Sequence, residues 1–178
     1  MDESAAIVIP ARMASTRFPD KPLALIKGKT MIERVWHLAK GVKGANEVLI
    51  ATDSQDLKAF AEDFGATVML TSPECLTGTD RVAEVSRLLD QKHTIFFSFQ
   101  GDAVLTPPWV IEGVLQAMLS DPTVQIATPA VHLTGKALTD FITSKRGGSS
   151  SGTTVTFDKK GKALYFSKAL IPYNRDEM

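Results

Sequence analysis

The sequence predicts an α/β fold, a mostly parallel sheet with helices on both faces. Three observations predict it. Short β-prone apolar runs alternate four times with helical stretches between Ala5 and Leu119, the rhythm of a wound parallel sheet. The first run, AAIVIP at Ala5–Pro10, is apolar throughout, as a strand covered on both faces must be. The chain has 178 residues, 44 % of them hydrophobic, enough for a single domain with one sizeable core. Crossovers in such a sheet are expected to be right-handed.

Each element has its own signal. Ala5–Pro10 is the first strand, and Ala11–Gly28, with two prolines and several small residues, reads as a long loop. Loops of that length in compact domains are often functional. In Thr30–Lys40, Met31, Val35, Leu38 and Ala39 form one helical stripe. Thr30 is the expected N-cap, with Glu33 at the capping-box spacing. Glu47–Ala51 is the second strand, Ser54–Phe64 a helix stopped by Gly65, and Thr67–Leu70 the third strand. Thr79–Leu89 is a helix with Val82, Val85 and Leu89 inward, and Thr94–Phe99 a buried strand. Pro107 and Pro108 open a helix that runs to Leu119, a position suited to proline. Gln125–Val131 reads as a further strand. Beyond Lys136 the rhythm changes. Lys145–Thr154 is a Gly/Ser-rich loop, and Val155–Phe157 with Ala163–Ser167 forms a hairpin turning at Asp158–Gly161.

Composition removes several function classes. Twenty Lys plus Arg balance twenty Asp plus Glu, so the broad basic surface of a nucleic-acid binder is not expected. Cys75 is the single cysteine, which leaves no internal disulfide or cysteine-based zinc site and suits a reducing compartment. MDESAAIVIPAR lacks the basic start of a signal peptide. No apolar run approaches the roughly 20 residues that span a bilayer. A cytoplasmic protein without membrane insertion is expected. Neither G-x-G-x-x-G after the first strand nor G-x-x-x-x-G-K-[ST] occurs, which argues against a dinucleotide dehydrogenase and a P-loop enzyme. His37, His93 and His132 lack metal-ligand spacing.

In open parallel sheets, ligands bind beyond the carboxyl ends of the strands. After the first strand comes ARMASTRFPDKP, with Arg12, Ser15, Thr16, Arg17 and Lys21; after the second, Thr52-Asp53; after the fourth, Gln100-Gly101-Asp102. One rim therefore carries a cationic loop beside a carboxylate. Either feature alone has an ordinary reading, as solvated surface or as a turn former. Their coincidence suits a triphosphate. Arg grips phosphate with a planar fork and Lys with a point charge, while Mg2+ takes one or two carboxylates plus phosphates and water. Arg12, Lys21 and Asp102 would supply both halves of a nucleotidyl-transfer site, as the catalytic residues, with Asp102 the metal ligand.

IPARMASTRFPDKPL closely resembles the first loop of the CMP-Kdo synthetases (3-deoxy-manno-octulosonate cytidylyltransferases). GTDRVAEV at Gly78–Val85, FQGD at Phe99–Asp102 and ALYFSKALIPYNRD at Ala163–Asp176 resemble that family in the same order. The match covers nearly the whole chain. It implies the Rossmann-like nucleotide-diphospho-sugar transferase fold and an enzyme that couples CTP to a 3-deoxy-2-keto sugar acid. The products would be the CMP-sugar and pyrophosphate, with Mg2+ as cofactor and lipopolysaccharide synthesis as setting. Carried over by position, Arg12 and Lys21 would bind the CTP phosphates with Ser15 nearby. Backbone groups at Ala11 and across Thr79–Arg81 would hold the cytidine. Gln100 would lie by the sugar acid or the base, and Asp102 would ligand Mg2+. The ALYFS segment lies near the dimer contact in such enzymes, which implies a homodimer.

Three departures bear on the acceptor. Ala103 and Val104 stand where the family usually has Glu and Pro. GGSSSGTTVTF stands where it often has a lysine-bearing strand. Family members also continue for several dozen residues past the IPYNRD-like motif, into a portion with another Mg2+-binding Asp and sugar contacts. Residues 1–178 are thus expected to form a single cytidylyltransferase domain lacking that portion, and two alternatives stay open: a CTP-binding relative with a different ulosonic acid acceptor, and a non-catalytic nucleotide-binding protein.

Overall fold

A computed structural model describes residues 4–14, 18–90 and 92–172. In chain order the elements are β1 (Ala5–Pro10), a 3-10 turn (Lys21–Leu23), β2 (Leu25–Ile26), β3 (Lys29–Thr30), α1 (Met31–Lys40), β4 (Glu47–Thr52) and α2 (Gln55–Asp63). There follow β5 (Thr67–Leu70), α3 (Gly78–Leu88), β6 (Ile95–Ser98), α4 (Pro108–Ser120), α5 (Gly135–Arg146), β7 (Thr154–Phe157) and β8 (Ala163–Ser167). The chain divides into two compact units, one up to Pro129 and one from Ala130.

In the first unit four parallel strands stand in the order β5-β4-β1-β6. All six residues of β1 are buried, as its unbroken apolar run requires. Successive side chains point to opposite faces, and the core divides accordingly. Ala5, Ile7 and Ile9 pack with Ile32, Val35 and Trp36 of α1, Leu57 of α2, and Ile111 and Leu115 of α4. Val8, with Leu49 and Ala51 of β4, packs against Val82 and Val85 of α3. Helices therefore cover both faces of a parallel sheet, as the alternation predicts.

The strand order places the site. From β1 the chain steps to β4 and on to β5, then returns to lay β6 on the other side of β1. The segments that leave the carboxyl ends of the neighbouring strands β1 and β6 thus start side by side, the position where parallel sheets bind ligands. Phe99, just past β6, is buried and donates its N–H to Val8 O at 2.9 Å. The turn that follows is thereby tied to β1.

Three expectations are corrected. Gln125–Val131 is not a strand: no ladder forms there among the described residues. Ile126 and Val131 are 87 % and 81 % exposed, so neither burial nor backbone pairing drives it to extend a sheet. The residues after Lys136 are helical, as α5, whose apolar Leu138, Phe141 and Ile142 have helical spacing; the Gly/Ser-rich loop begins only after Arg146. Finally, Ala11–Gly28 is not all loop. It holds the Lys21–Leu23 turn and the β2–β3 hairpin, whose turn residues Lys27 and Gly28 both have positive φ, the type I′ pattern. Arg34 of α1 donates to Ile26 O and Lys27 O at 2.6 and 3.0 Å and fixes that hairpin.

Thr30 caps α1 by accepting the Glu33 N–H. Glu33's carboxylate turns instead to Lys29 at 2.7 Å, so the box is not closed there. It closes on α3, where Thr77 and Asp80 exchange bonds. In the second unit β7 and β8 pair antiparallel, as predicted, and Asp158 Oδ1 accepts the N–H groups of Lys160 and Lys162 in their turn. No described helix is long and apolar enough to cross a membrane.

Candidate functional site

Beyond the carboxyl ends of β1 and β6 lies a cleft of about 270 Å³. Three stretches line it: Pro10–Arg12 after β1, Cys75–Gly78 before and into α3, and Gln100–Asp102 after β6; Lys21, Pro22, Met31 and Arg81 complete it. The backbones meet closely. A Cβ on Gly78 would lie 3.0 Å from Pro10 Cγ, and one on Gly101 would lie 3.2 Å from Pro10 O. Glycine at both positions lets the α3 start and the turn after β6 close on the end of β1.

Ala11 is buried, and its N–H donates to Ala51 O at 2.9 Å, still in line with the sheet. Arg12 is the first residue to leave it and is exposed. Lys21 returns to the cleft at the start of the 3-10 turn, where Pro22 is buried. Its Nζ donates to Asp102 Oδ2 at 2.5 Å, with the two side chains 38 % and 53 % exposed. Asp102 itself sits in a turn held by Ala103 N–H donating to Gln100 O at 3.0 Å.

Arg81 is 2 % exposed. Its guanidinium donates to Thr71 Oγ1 and, at 3.2 Å, to Asp53 Oδ2. A buried charge survives only when paired, and this pair joins α3 to the ends of β4 and β5. The Arg81 side chain is thus committed to the protein on the cleft floor. At the start of α3 the Thr77 hydroxyl and N–H both bond to the Asp80 carboxylate and hold its pKa below the usual aspartate value. First-turn N–H groups such as those of Gly78 and Thr79 lack intrahelical acceptors, and the positive end of the helix dipole faces the cleft.

Of the residues singled out by sequence, Ala11, Arg12, Lys21, Arg81, Gln100 and Asp102 come together in one cleft. Thr79 is exposed and does not line it. Ser15 lies outside the described residues. Sequence reasoning missed Met31, Cys75, Leu76 and Thr77. A signal for Thr77 was present: T-x-x-D at Thr77–Asp80 is a helix start. Among the described residues no group of three or more His, Cys, Asp or Glu could hold a metal. Asp102 alone therefore fits a Mg2+ ion that keeps its waters and arrives on phosphates, and does not fit a protein-built cage.

The comparisons agree with this architecture. The family profile described as Cytidylyltransferase matches residues 6–178. The 3-deoxy-manno-octulosonate cytidylyltransferase of Maricaulis maris is 45 % identical over 97 % of this chain, which spans 66 % of that relative's length. An 8-amino-3,8-dideoxy-manno-octulosonate cytidylyltransferase of a Shewanella species is 38 % identical over 96 % of the chain and 67 % of its own length. Among solved structures, a CMP:2-keto-3-deoxy-manno-octonic acid synthetase complexed with CTP is similar with a TM-score of 0.82 at 32 % identity, over 98 % of this chain and 68 % of that one. The fold is that of a nucleotidyltransferase, and with the family match spanning both rims of the cleft, this chain belongs to the cytidylyltransferase family.

Proposed function

We propose that the protein couples CTP to a 3-deoxy-2-keto sugar acid, 3-deoxy-manno-octulosonate or a close relative, to give the CMP-sugar and pyrophosphate. The observation that carries the reading is the meeting of Lys21, from the loop after β1, with Asp102, from the turn after β6, in one cleft. The similarity to a synthetase complexed with CTP supports it.

In this reading Arg12 and Lys21 bind the triphosphate, and Ser15 lies near it. Backbone groups at Ala11 and from Thr79 to Arg81 hold the cytidine, with the start of α3 contributing its dipole. Gln100 contacts the sugar acid or the base. Asp102 is the residue that would hold Mg2+, which when bound supplies neutralisation of phosphate charge. The sugar's anomeric hydroxyl attacks the α-phosphorus and gives up its proton to solvent. The bond from that phosphorus to the pyrophosphate oxygen breaks, and pyrophosphate leaves. Positioning and charge from Arg12 and Lys21 do most of the work.

Residues 1–178 then form one cytidylyltransferase domain, since the family match runs through both units. A homodimer belongs to the same reading, and Phe157, Leu164 and Tyr165, exposed on the β7–β8 hairpin, give it apolar surface to bury. A cytoplasmic setting fits the lone free thiol. The relative acting on the 8-amino sugar favours testing a second acceptor. Pyrophosphate release with CTP, Mg2+ and each sugar acid, against the other nucleoside triphosphates, tests the proposal. Release that needs CTP and one of the acceptors supports it; release without any acceptor, or with every nucleotide alike, contradicts it.

A further inference from the structure

We propose that Glu84 is a positioning residue: from α3 it fixes the Ser72–Thr77 wall of the cleft and thereby sets how firmly the nucleotide is held. The inference rests on the cleft being the CTP site.

Arg81 and Glu84 lie three residues apart on α3, so they project on one face. Both reach the segment that follows β5. Arg81 takes its first residue, Thr71, through the hydroxyl. Glu84 takes the next part: its two carboxylate oxygens accept the Ser72 N–H at 3.0 and 3.1 Å, and Oε2 accepts the Cys75 thiol at 2.9 Å. Around that carboxylate the chain turns, with Glu74 N–H donating to Ser72 Oγ at 3.0 Å and Cys75 N–H donating to Ser72 O at 3.3 Å. Cys75, Leu76 and Thr77 emerge from the turn as cleft wall.

The far end of this wall, Thr77, is held by the Asp80 capping box; the part before it relies on Glu84. The segment has no helix or strand of its own, and Leu76 is 82 % exposed, so burial does not fix it. The requirement at Glu84 is specific. Two donors converge on it, and an ionised carboxylate is acceptor-only. A glutamine would present one acceptor oxygen and an NH2 group that faces a donor. The titration behaviour agrees: the Cys75 thiol and then the Ser72 N–H hold the Glu84 carboxyl below the usual glutamate value. The hydrogen bond to Glu84, then burial, raises the Cys75 thiol.

Cys75 is the only cysteine in the chain, so its reaction with 5,5′-dithiobis(2-nitrobenzoate) reports on the wall without any activity assay. In Glu84→Gln the thiol loses the ionised carboxylate that holds its proton, and its thiolate fraction rises. Labelling near neutral pH should then accelerate at least about threefold. The KM for CTP should rise several-fold with kcat within about twofold, because the wall grips nucleotide and touches no reacting atom. Glu84→Asp keeps the charge but retracts it, and should fall between wild type and Glu84→Gln. Unchanged labelling in both variants overturns the clamp. Faster labelling with an unchanged KM for CTP overturns its role in holding nucleotide. Saturating CTP should slow labelling of the wild-type chain; if it does not, the CTP reading of the cleft fails, and the labelling rates of the variants still judge the clamp by themselves.

Discussion

The Lys21 ammonium and the Asp102 carboxylate, 81 residues apart in sequence, are in contact at 2.5 Å in the cleft. In the proposed reaction each needs a different partner: Lys21 a phosphate, Asp102 a metal ion. The pair is half-exposed, and such pairs stabilise a fold by only about 0–1 kcal/mol. It is therefore cheap to open, and the two charges neutralise each other until substrate separates them. Asp102→Ala should abolish Mg2+-dependent turnover and barely change the melting temperature. It should also leave Lys21 free for phosphate, so that CTP binds this variant more tightly than wild type when no metal is added. Calorimetric titration in chelator checks this; weaker metal-free binding by Asp102→Ala would remove the exchange of partners.

Arg12 is the first side chain past the sheet and is exposed on the cleft. A hydrogen bond to a charged group is worth about 1.5–3 kcal/mol. Arg12→Ala should weaken CTP binding by that amount, roughly tenfold to a hundredfold, with the fold intact. Normal CTP affinity in this variant would take Arg12 out of the phosphate site.

Two glycines separate a steric constraint from a conformational one. At Gly101 a new Cβ meets the Pro10 carbonyl, a backbone atom, at 3.2 Å. Gly101→Ala should displace the Gln100–Asp102 turn, cost about 1–3 kcal/mol, and lower turnover. At Gly113, inside α4, a Cβ meets nothing within 4 Å. Gly113→Ala should raise stability by about 0.5–1 kcal/mol through the unfolded chain and helix propensity. Denaturant melts of the two variants give opposite signs if the geometry is right.

At the amino ends of the strands, Glu47 accepts from Lys92 at 2.7 Å, and its Oε2 lies 2.9 Å from His93 Nε2. Burial opposes its ionisation, but the Lys92 and His93 bonds together outweigh it and leave the carboxyl below the ordinary value of 4.5. A depressed carboxyl contributes stability that is present above its unfolded value and lost as pH falls through the folded one. Thermal stability should therefore decline below pH 4.5. Glu47→Gln should flatten that decline, and an identical acid profile for the variant would exclude Glu47 as a contributor.

Much of the fold was legible because its signals are local. The run at Ala5–Pro10, the caps, and the proline-opened α4 each dictate one element from adjacent residues. The rim was legible for a related reason: Arg12, Lys21 and Asp102 lie in the segments that follow predicted parallel strands, where such sheets bind ligands. What escaped was non-local. Whether Gln125–Val131 becomes a strand depends on a neighbour to pair with, and none pairs with it among the described residues. That Arg81 spends its guanidinium on Thr71 and Asp53, 10 and 28 residues away, follows from the β4–β5 pairing and not from any motif. Cys75 and Leu76 enter the cleft because α3 folds their segment back. The β2–β3 hairpin was the exception, since Lys27-Gly28 between short apolar and polar runs is a turn signal that composition alone obscured.

In the proposed function one cleft takes CTP with Lys21 and metal with Asp102. Titrating CTP into wild type and Asp102→Ala, each with and without Mg2+, tests it most directly. Mg2+ should tighten CTP binding to the wild-type chain, and Asp102→Ala should lose most of this enhancement. The same Mg2+ enhancement in both proteins, or no CTP binding by either, would contradict it.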